Sequence, residues 1–538
     1  MKSLPEVQQE FLTGAFGLIV PEAVLVGVAC ALFLLGLFVP RRLPAILLAL
    51  AGVAGAAVAA ALLGGQEVAA FWQTVEGTPF DPRSVAPFDP TGLAAFVRWL
   101  ALGAAAVFLL LAWPEVRDGN AADYAACTLI VAAGVSLVGR ANDLVSLFLA
   151  LELVSIPTYV LLYLPVRTRA AHEAALKYFL LSVLSSAVLL FGFSYLYGLT
   201  GTTNLGAVVQ TLAAAHRQEV SPVALVAAMM AVAGLGFRVT AFPFHWYAPD
   251  VYEGAPTGVV AQISFVPKVA GLVALARVLG LLSPPIDDLP FDSVHTLIPL
   301  MLWIVAAATM TFGNVLALLQ DNLKRLLAYS GIAHGGYMLL GLVVALSLPE
   351  ARGTVPAQTG LDAVLFYLVA YGLMTVGAFA VLLYLAGPDG KPETVDDLGG
   401  LGRSHPVAAG ALGVMLFSLI GLPLTAGFVG KFLLFVSAFD APTVGPMRNM
   451  YRVLAAVLAV NAAVGAVYYL RVLGVMYLRQ PLQSSDRPRG RPALVAAVVC
   501  AAATLVLGVY PKPLAEAARK AVPLADDRPR PTVADVAR

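Results

Sequence analysis

The chain is poor in charge and in cysteine. Of its 538 residues only 12% are Asp, Glu, Lys or Arg, about half the share of an ordinary soluble domain. With 60% hydrophobic residues and a mean hydropathy of +0.85, it has too little polar surface to cover a core that faces water. A bilayer removes that requirement, so composition alone places the chain among membrane proteins. The three cysteines, Cys30, Cys127 and Cys500, are isolated within apolar runs and read as buried packing thiols. CxxC pairs and Cys/His clusters are missing, which removes the usual ligand patterns for zinc and iron–sulfur clusters. GxGxxG and P-loop patterns are missing too, so no nucleotide cradle is expected. A net charge of +1 gives nucleic acid no basic surface to bind. Any redox cofactor is therefore expected on other chains. The first apolar run begins near Leu12 behind one lysine and an acidic stretch. It lacks a basic leader and a small-residue cleavage site, and it reads as a retained helix.

What the chain does have is long apolar runs. A spanning helix needs about 20 apolar residues, and that template predicts about fourteen spans. They lie at 13–38, 43–63, 92–113, 121–139, 142–164, 172–199, 222–247, 256–281, 296–319, 326–348, 361–386, 406–439, 449–477 and 492–511. The longer connections, 64–91 and 200–221, read as loops, and the polar, Pro-rich tail after Pro511 is expected to be partly frayed. Loops after odd-numbered spans hold most of the cations, among them Arg41, Arg42, Arg117, Arg167, Arg169, Lys324, Arg325, Lys391, Arg403, Arg479, Arg487 and Arg489. Loops after even-numbered spans hold fewer, such as Arg83, Arg140, Arg217, Arg352 and Arg448. The positive-inside rule then puts both termini on the non-cytoplasmic side, although the tail, with Arg528 and Arg530, is itself basic.

The chain also reads as doubled, with a period near 180 residues. Glu173 to Tyr178 aligns with Asp362 to Tyr367, and Phe237 followed by Pro243 aligns with Phe417 followed by Pro423 at the same spacing. Each proline lies inside a span, where it removes a backbone N–H and clashes with the preceding turn, so an interruption is expected at both. Two interrupted helices in corresponding halves point to a transport site.

Several charges lie where an apolar helix should have none. Glu152 is mid-way along the fifth span, Arg238 sits five residues before Pro243 in the seventh, and Lys268 is at the centre of the eighth. Lys431 follows Pro423 by eight residues, and His334 is about two turns into the tenth span. A charge at mid-bilayer costs about 2.5–3.5 kcal/mol on insertion scales, so each needs a reason. One reason is a static ion pair; the other is a hydrated proton path, in which a lysine is loaded or unloaded as a carboxylate's influence changes. Lys177, in the first turns of the sixth span, can instead snorkel to the interface. His334 is open to reading as a hydrogen-bonded neutral imidazole. His245 at the helix break reads equally as a relay or as a partner for freed carbonyls. Asp250 and Glu253 read as shaping the connection between the seventh and eighth spans.

These residues resemble a known family. Gly234-Leu-Gly-Phe-Arg-Val-Thr-Ala-Phe-Pro-Phe-His245 and Pro249-Asp-Val-Tyr-Glu-Gly-Ala-Pro256 are similar to the seventh-to-eighth helix signature of subunit N of bacterial NADH–quinone oxidoreductase, complex I. Asp321-Asn-Leu-Lys-Arg-Leu-Leu-Ala-Tyr-Ser-Gly-Ile-Ala-His334 resembles its tenth helix. Gly421-Leu-Pro-Leu-Thr-Ala-Gly-Phe-Val-Gly-Lys431 resembles the break in its twelfth. The resemblance implies an all-α integral membrane protein with two inverted five-helix repeats, spans 4–8 and 9–13, and broken helices 7 and 12. The expected units are then 1–120, 121–281, 282–480 and 481–538. It implies proton translocation along Glu152, Lys268, Lys431, Arg238 and His334, with His245, Lys177, Pro243 and Pro423 as relay or break residues. FMN, iron–sulfur clusters, NADH and quinone are implied on other subunits, with subunits M and K as neighbours in a bacterial cell membrane. Where that family usually has lysine in the seventh helix, this chain has Arg238. A guanidinium is never deprotonated, so Arg238 is expected to be a fixed partner for Glu152, with Lys268 taking more of the proton exchange. The rival readings are a stand-alone cation/proton antiporter subunit, a membrane-bound hydrogenase subunit and a non-catalytic scaffold.

Overall fold

The computed structural model describes residues 17–75, 88–89, 92–165, 168–215, 221–282, 294–346, 360–386, 392–441, 446–480 and 490–522. These are almost wholly helical. The first three helices are α1 (Val20–Gly36), α2 (Arg42–Val75) and α3 (Gly92–Glu115). A first set of five spans follows: α4 (Ala121–Arg140), α5 (Leu144–Tyr163), α6 (Arg169–Thr200), the short α7 (Leu205–Ala215), α8 (Pro222–Val239) continued by α9 (Ala248–Gly254), and α10 (Thr257–Leu282). The second set is α11 (Val294–Leu318), α12 (Leu323–Ala345), α13 (Leu361–Leu385), the one-turn α14 (Leu401–Ser404) leading into α15 (Pro406–Ile420), α16 (Ala426–Phe439) and α17 (Pro446–Leu478). α18 (Arg491–Val509) and α19 (Lys512–Ala521) close the chain.

Twelve of these helices are long and apolar enough to cross a membrane. The remaining two of the fourteen expected spans are α1, at 17 residues, and the interrupted pair α15 and α16. Lipid-facing stretches are plain from exposure. On α6, Leu176, Leu180, Leu184 and Phe191 are all more than half exposed, an apolar stripe that water would penalise and acyl chains accept. By contrast α4, α10, α12 and α13 are enclosed by protein nearly throughout and form the centre of the molecule.

The doubling is visible in the backbone. Asp143 caps α5, its side chain accepting from Val145 N and Ser146 N, and Asn322 caps α12 by accepting from Lys324 N and Arg325 N. Beside these caps the same strap recurs. Leu144 N donates to Thr203 O and Leu205 N to Asn142 O, while Leu323 N donates to Glu393 O and Val395 N to Asp321 O. Because each set has five spans, the second runs through the bilayer in the opposite sense to the first.

Both prolines lie just past the end of an interrupted helix. α8 ends at Val239, with Thr240 in the left-handed region at φ 60°, and α15 ends at Ile420, with Gly421 at φ 94°. The two breaks then diverge. α16 resumes for 14 residues, whereas the seventh span, expected to run to 247, turns at 241–247 into the seven-residue α9.

The structure refines the expected connections: α2 runs on past the expected end of the second span to Val75, so part of the 64–91 connection is helical. The 200–221 connection contains α7, whose first turn is capped by Asn204 accepting from Ala207 N. The tail begins with α19, which packs its Ala518 and Ala521 face against the bundle, and 523–538 lie outside the described residues. Cys30 is exposed on α1, while Cys127 and Cys500 are buried. Of the loop and tail cations used for orientation, Arg83, Arg167, Arg217, Arg352, Lys391, Arg487, Arg489, Arg528 and Arg530 lie outside the described residues.

Candidate functional site

Glu152 from α5 and Arg238 from the last turn of α8 form an ion pair at 3.0 Å. Arg238 spreads its two terminal nitrogens over both neighbours. Nη1 donates to Ser155 Oγ at 2.5 Å and Leu151 O at 3.2 Å, and Nη2 donates to Glu152 and to Ser186 Oγ at 3.1 Å. Ser186 on α6 in turn donates to Glu152 Oε1 at 2.6 Å. The arginine side chain is 4% exposed and the glutamate 19% exposed, so the carboxylate is the less enclosed end of the pair. A planar fork with several donors suits this arrangement, because it satisfies acceptors on two helices without moving.

Lys268, fully buried on α10, reaches back to the broken helix, where Nζ donates to Thr240 Oγ1 at 3.1 Å. Its ammonium lies 5.9 Å from the Tyr371 ring centroid on α13 and runs along the glycine face of α12. A Cβ at Gly331 would stand 2.8 Å from the Tyr371 hydroxyl, so that face must stay bare. Lys431, on α16, caps the other break. Its Nζ donates to Leu419 O at 2.7 Å and Ile420 O at 3.0 Å and lies 5.2 Å from the Tyr337 ring centroid. Both ammonium groups therefore sit at the carbonyl end of an interrupted helix, where freed C=O groups and the helix dipole favour a cation.

His334 on α12 lies between them and feels the charge of both Lys431 and Lys268. Its Nδ1 is 2.5 Å from the Tyr367 hydroxyl and its Nε2 is 3.2 Å from that of Tyr469, which also bonds Ser330. A second polar group lies beside it, in which Tyr337, whose ring packs on His334, accepts from Asn314 Nδ2 at 2.9 Å, and Asn314 meets Asn461 and Tyr468 from α17. Hydroxyls and an imidazole that both donate and accept make a chain able to pass a proton without moving a side chain far.

Residues 141–456 match the family described as NADH:quinone oxidoreductase/Mrp antiporter, TM. The NADH-quinone oxidoreductase subunit N of Trichlorobacter lovleyi is 37% identical over 524 residues, which is 96% of this chain and 99% of that relative. The chain belongs to the subunit N family. A chain of respiratory complex I from Thermus thermophilus with bound aureothin superposes at a TM-score of 0.71 with 32% identity, covering 92% of this chain and 99% of that one. A chain of the Mrp complex from Dietzia sp. has a TM-score of 0.72 at 21% identity, covering 93% and 97%, and shares the fold.

Within this subunit N family chain, not every residue singled out in the sequence joins the axis. Lys177 pairs with Glu173 at 2.8 Å and Asp250 at 3.3 Å at the end of the bundle. Asp250 and Glu253 on α9 both meet Arg325 of α12, at 2.7 and 2.9 Å, so this cluster latches α9 between the two repeats. Burial raises the Asp250 carboxyl, but Arg325 and Lys177 outweigh it and hold the group below its ordinary value. His245 lies in the 241–247 turn beside the Phe242 ring, with Nδ1 buried and unbonded. Sequence reasoning missed the buried pair of Glu22 and Arg98, whose two carboxylate oxygens each lie 2.9 Å from the guanidinium. Ser136 of α4 also bonds Glu22, so the pair fastens α1 and α3 to the first repeat. It also missed Glu115, whose carboxylate accepts from Gly258 N at the start of α10. Glu115 lies at the end of an apolar run, where a charge attracts no notice, whereas Glu22, nine residues inside the expected first span, was open to notice and was overlooked.

Proposed function

We propose that this chain is the membrane-arm subunit N of a proton-pumping NADH–quinone oxidoreductase and carries one proton-translocating path. The observation that carries the reading is the pair of buried ammonium groups, Lys268 and Lys431, each set against the carbonyl end of an interrupted helix in corresponding halves of the fold. In this reading Glu152 gathers charge at the less enclosed end and Arg238 holds it in place. Lys268 and Lys431 exchange protons through His334 and the surrounding hydroxyls. Arg238 keeps its proton, so it orients and Lys268 exchanges. Electron transfer from NADH to quinone, with FMN and iron–sulfur clusters, belongs to other subunits. Subunits M and K are the proposed neighbours, in a bacterial cell membrane with both termini on the non-cytoplasmic side.

The test is to tag the tail, solubilise native membranes gently and assay the purified material for NADH-dependent quinone reduction. Co-purification of that activity, with proton pumping lost in Lys268→Ala and Lys431→Met, is the expected result. Purification with sodium-dependent antiport or hydrogenase activity in place of NADH oxidation would overturn it.

A further inference from the structure

The two breaks hold their lysines differently. At the second, Lys431 bonds backbone carbonyls directly beside Gly421, a residue that adopts positive φ freely. At the first, the corresponding left-handed position is Thr240, a β-branched residue at φ 60°, where such side chains are genuine outliers. Its hydroxyl stands between the ammonium and the helix end: Thr240 Oγ1 donates to Val239 O at 2.5 Å and accepts from Lys268 Nζ at 3.1 Å. Thr240 is 4% exposed, and the turn that follows is tied down, Ala241 N donating to Gly236 O at 2.8 Å and Phe242 N to Thr309 Oγ1 of α11 at 2.9 Å. Glycine would relieve the backbone here and remove the hydroxyl. A strained threonine in that place points to a use for the oxygen.

We propose that Thr240 is a positioning residue for Lys268, its hydroxyl holding the ammonium against the end of α8 so that the lysine stays aligned between Arg238 on one side and Tyr371 and His334 on the other. This rests on the proton-translocation reading above. A hydrogen bond to a charged group shifts occupancy of one geometry by about tenfold or more, so losing it leaves Lys268 unaligned most of the time.

The test compares Thr240→Val, Thr240→Gly and Thr240→Ser with Lys268→Ala in the whole reconstituted complex. NADH–quinone reduction with an uncoupler present shows that each complex is assembled, and protons moved per NADH is the readout. The expected result is that Val and Gly lose most of what Lys268→Ala loses, while Ser retains wild-type pumping. Glycine is the informative variant, because a purely structural role for position 240 would be served as well or better by it. Wild-type pumping in Thr240→Val or Thr240→Gly, or failure of Thr240→Ser to pump, overturns the proposal when Lys268→Ala is impaired. If Lys268→Ala is itself silent, the proton path assigned to Lys268 fails and this inference falls with it.

Discussion

Replacing Glu152 with glutamine removes one negative charge and almost nothing else. Glutamine keeps the length of the side chain and an oxygen for Arg238 and Ser186, which lie 3.0 and 2.6 Å from Oε1. Arg238 keeps Leu151 O, Ser155 and Ser186, so the guanidinium stays hydrogen-bonded but loses its counter-charge. Breaking one side of a buried ion pair costs about 3–5 kcal/mol. Glu152 is 19% exposed, so the pair is not fully enclosed, and a net cost of about 2–3 kcal/mol is expected. At 1.4 kcal/mol per tenfold, that is roughly a 30- to 150-fold shift against the native arrangement. The assay is the midpoint of heat-induced loss of the tagged chain from the purified complex, together with protons pumped per NADH. Glu152→Gln should lower both. Arg238→Met combined with Glu152→Gln should bring the midpoint back towards wild type, because removing both charges leaves neither uncompensated, while pumping stays low. The reasoning is refuted if the double variant loses as much stability as the two single variants added together.

Arg238→Lys exchanges a fork for a single nitrogen, which cannot hold Ser155 and Leu151 O on one side and Glu152 and Ser186 on the other; the expected outcome is altered protons per NADH with assembly retained, and unchanged pumping in this variant together with a silent Lys268→Ala would sink the assigned roles. The latch on α9 is acid-sensitive: with Asp250 held below its ordinary value, its contribution is complete above about pH 4 and is lost as pH falls through the lower folded value. Amide exchange of Val251 to Gly254, corrected for the intrinsic rate, should therefore rise at acid pH, and in Asp250→Asn it should be raised already at neutral pH. Gly336→Ala places a methyl 2.6 Å from Met310 N on α11, a clash of backbone against side chain expected to cost about 1–3 kcal/mol. Gly103→Ala, with nothing within 4 Å, is the neutral control, and equal heat stability of the two variants would show that α11 and α12 are not so tightly packed.

Span number and helix interruption were legible because they depend on local facts. Bilayer thickness sets the length of an apolar run, and Pro243 and Pro423 mark where a helix cannot continue. The ionisable residues were legible for the same reason, since a charge inside such a run stands out. Their partners were not. Tyr367 and Tyr469 look like ordinary membrane aromatics in the sequence, and only packing turns their hydroxyls toward His334, while those of Tyr337 and Tyr371 meet Asn314 and Ser264 O. Helix α7 hid inside a stretch with Gly, Thr and Asn, too short to register as a span. Lys177 sits among carboxylates at the bundle end, and its partner Asp250 joins Glu253 in meeting Arg325, so these two acids connect helices as well as shape the turn they occupy.

The pairing of Arg238 with Glu152 also decides where a membrane voltage acts. An electric field does work on net charge, about 2.3 kcal/mol for each elementary charge carried through 100 mV. At 3.0 Å the guanidinium and carboxylate form a short dipole with no net charge, so carrying both together through the field is nearly free. Lys268 and Lys431 face hydroxyls, carbonyls and aromatic rings instead, and on the proposed path each proton gained or lost there would change the charge that the field meets. On that path, voltage across the membrane would lean on the two lysines and leave the arginine almost untouched.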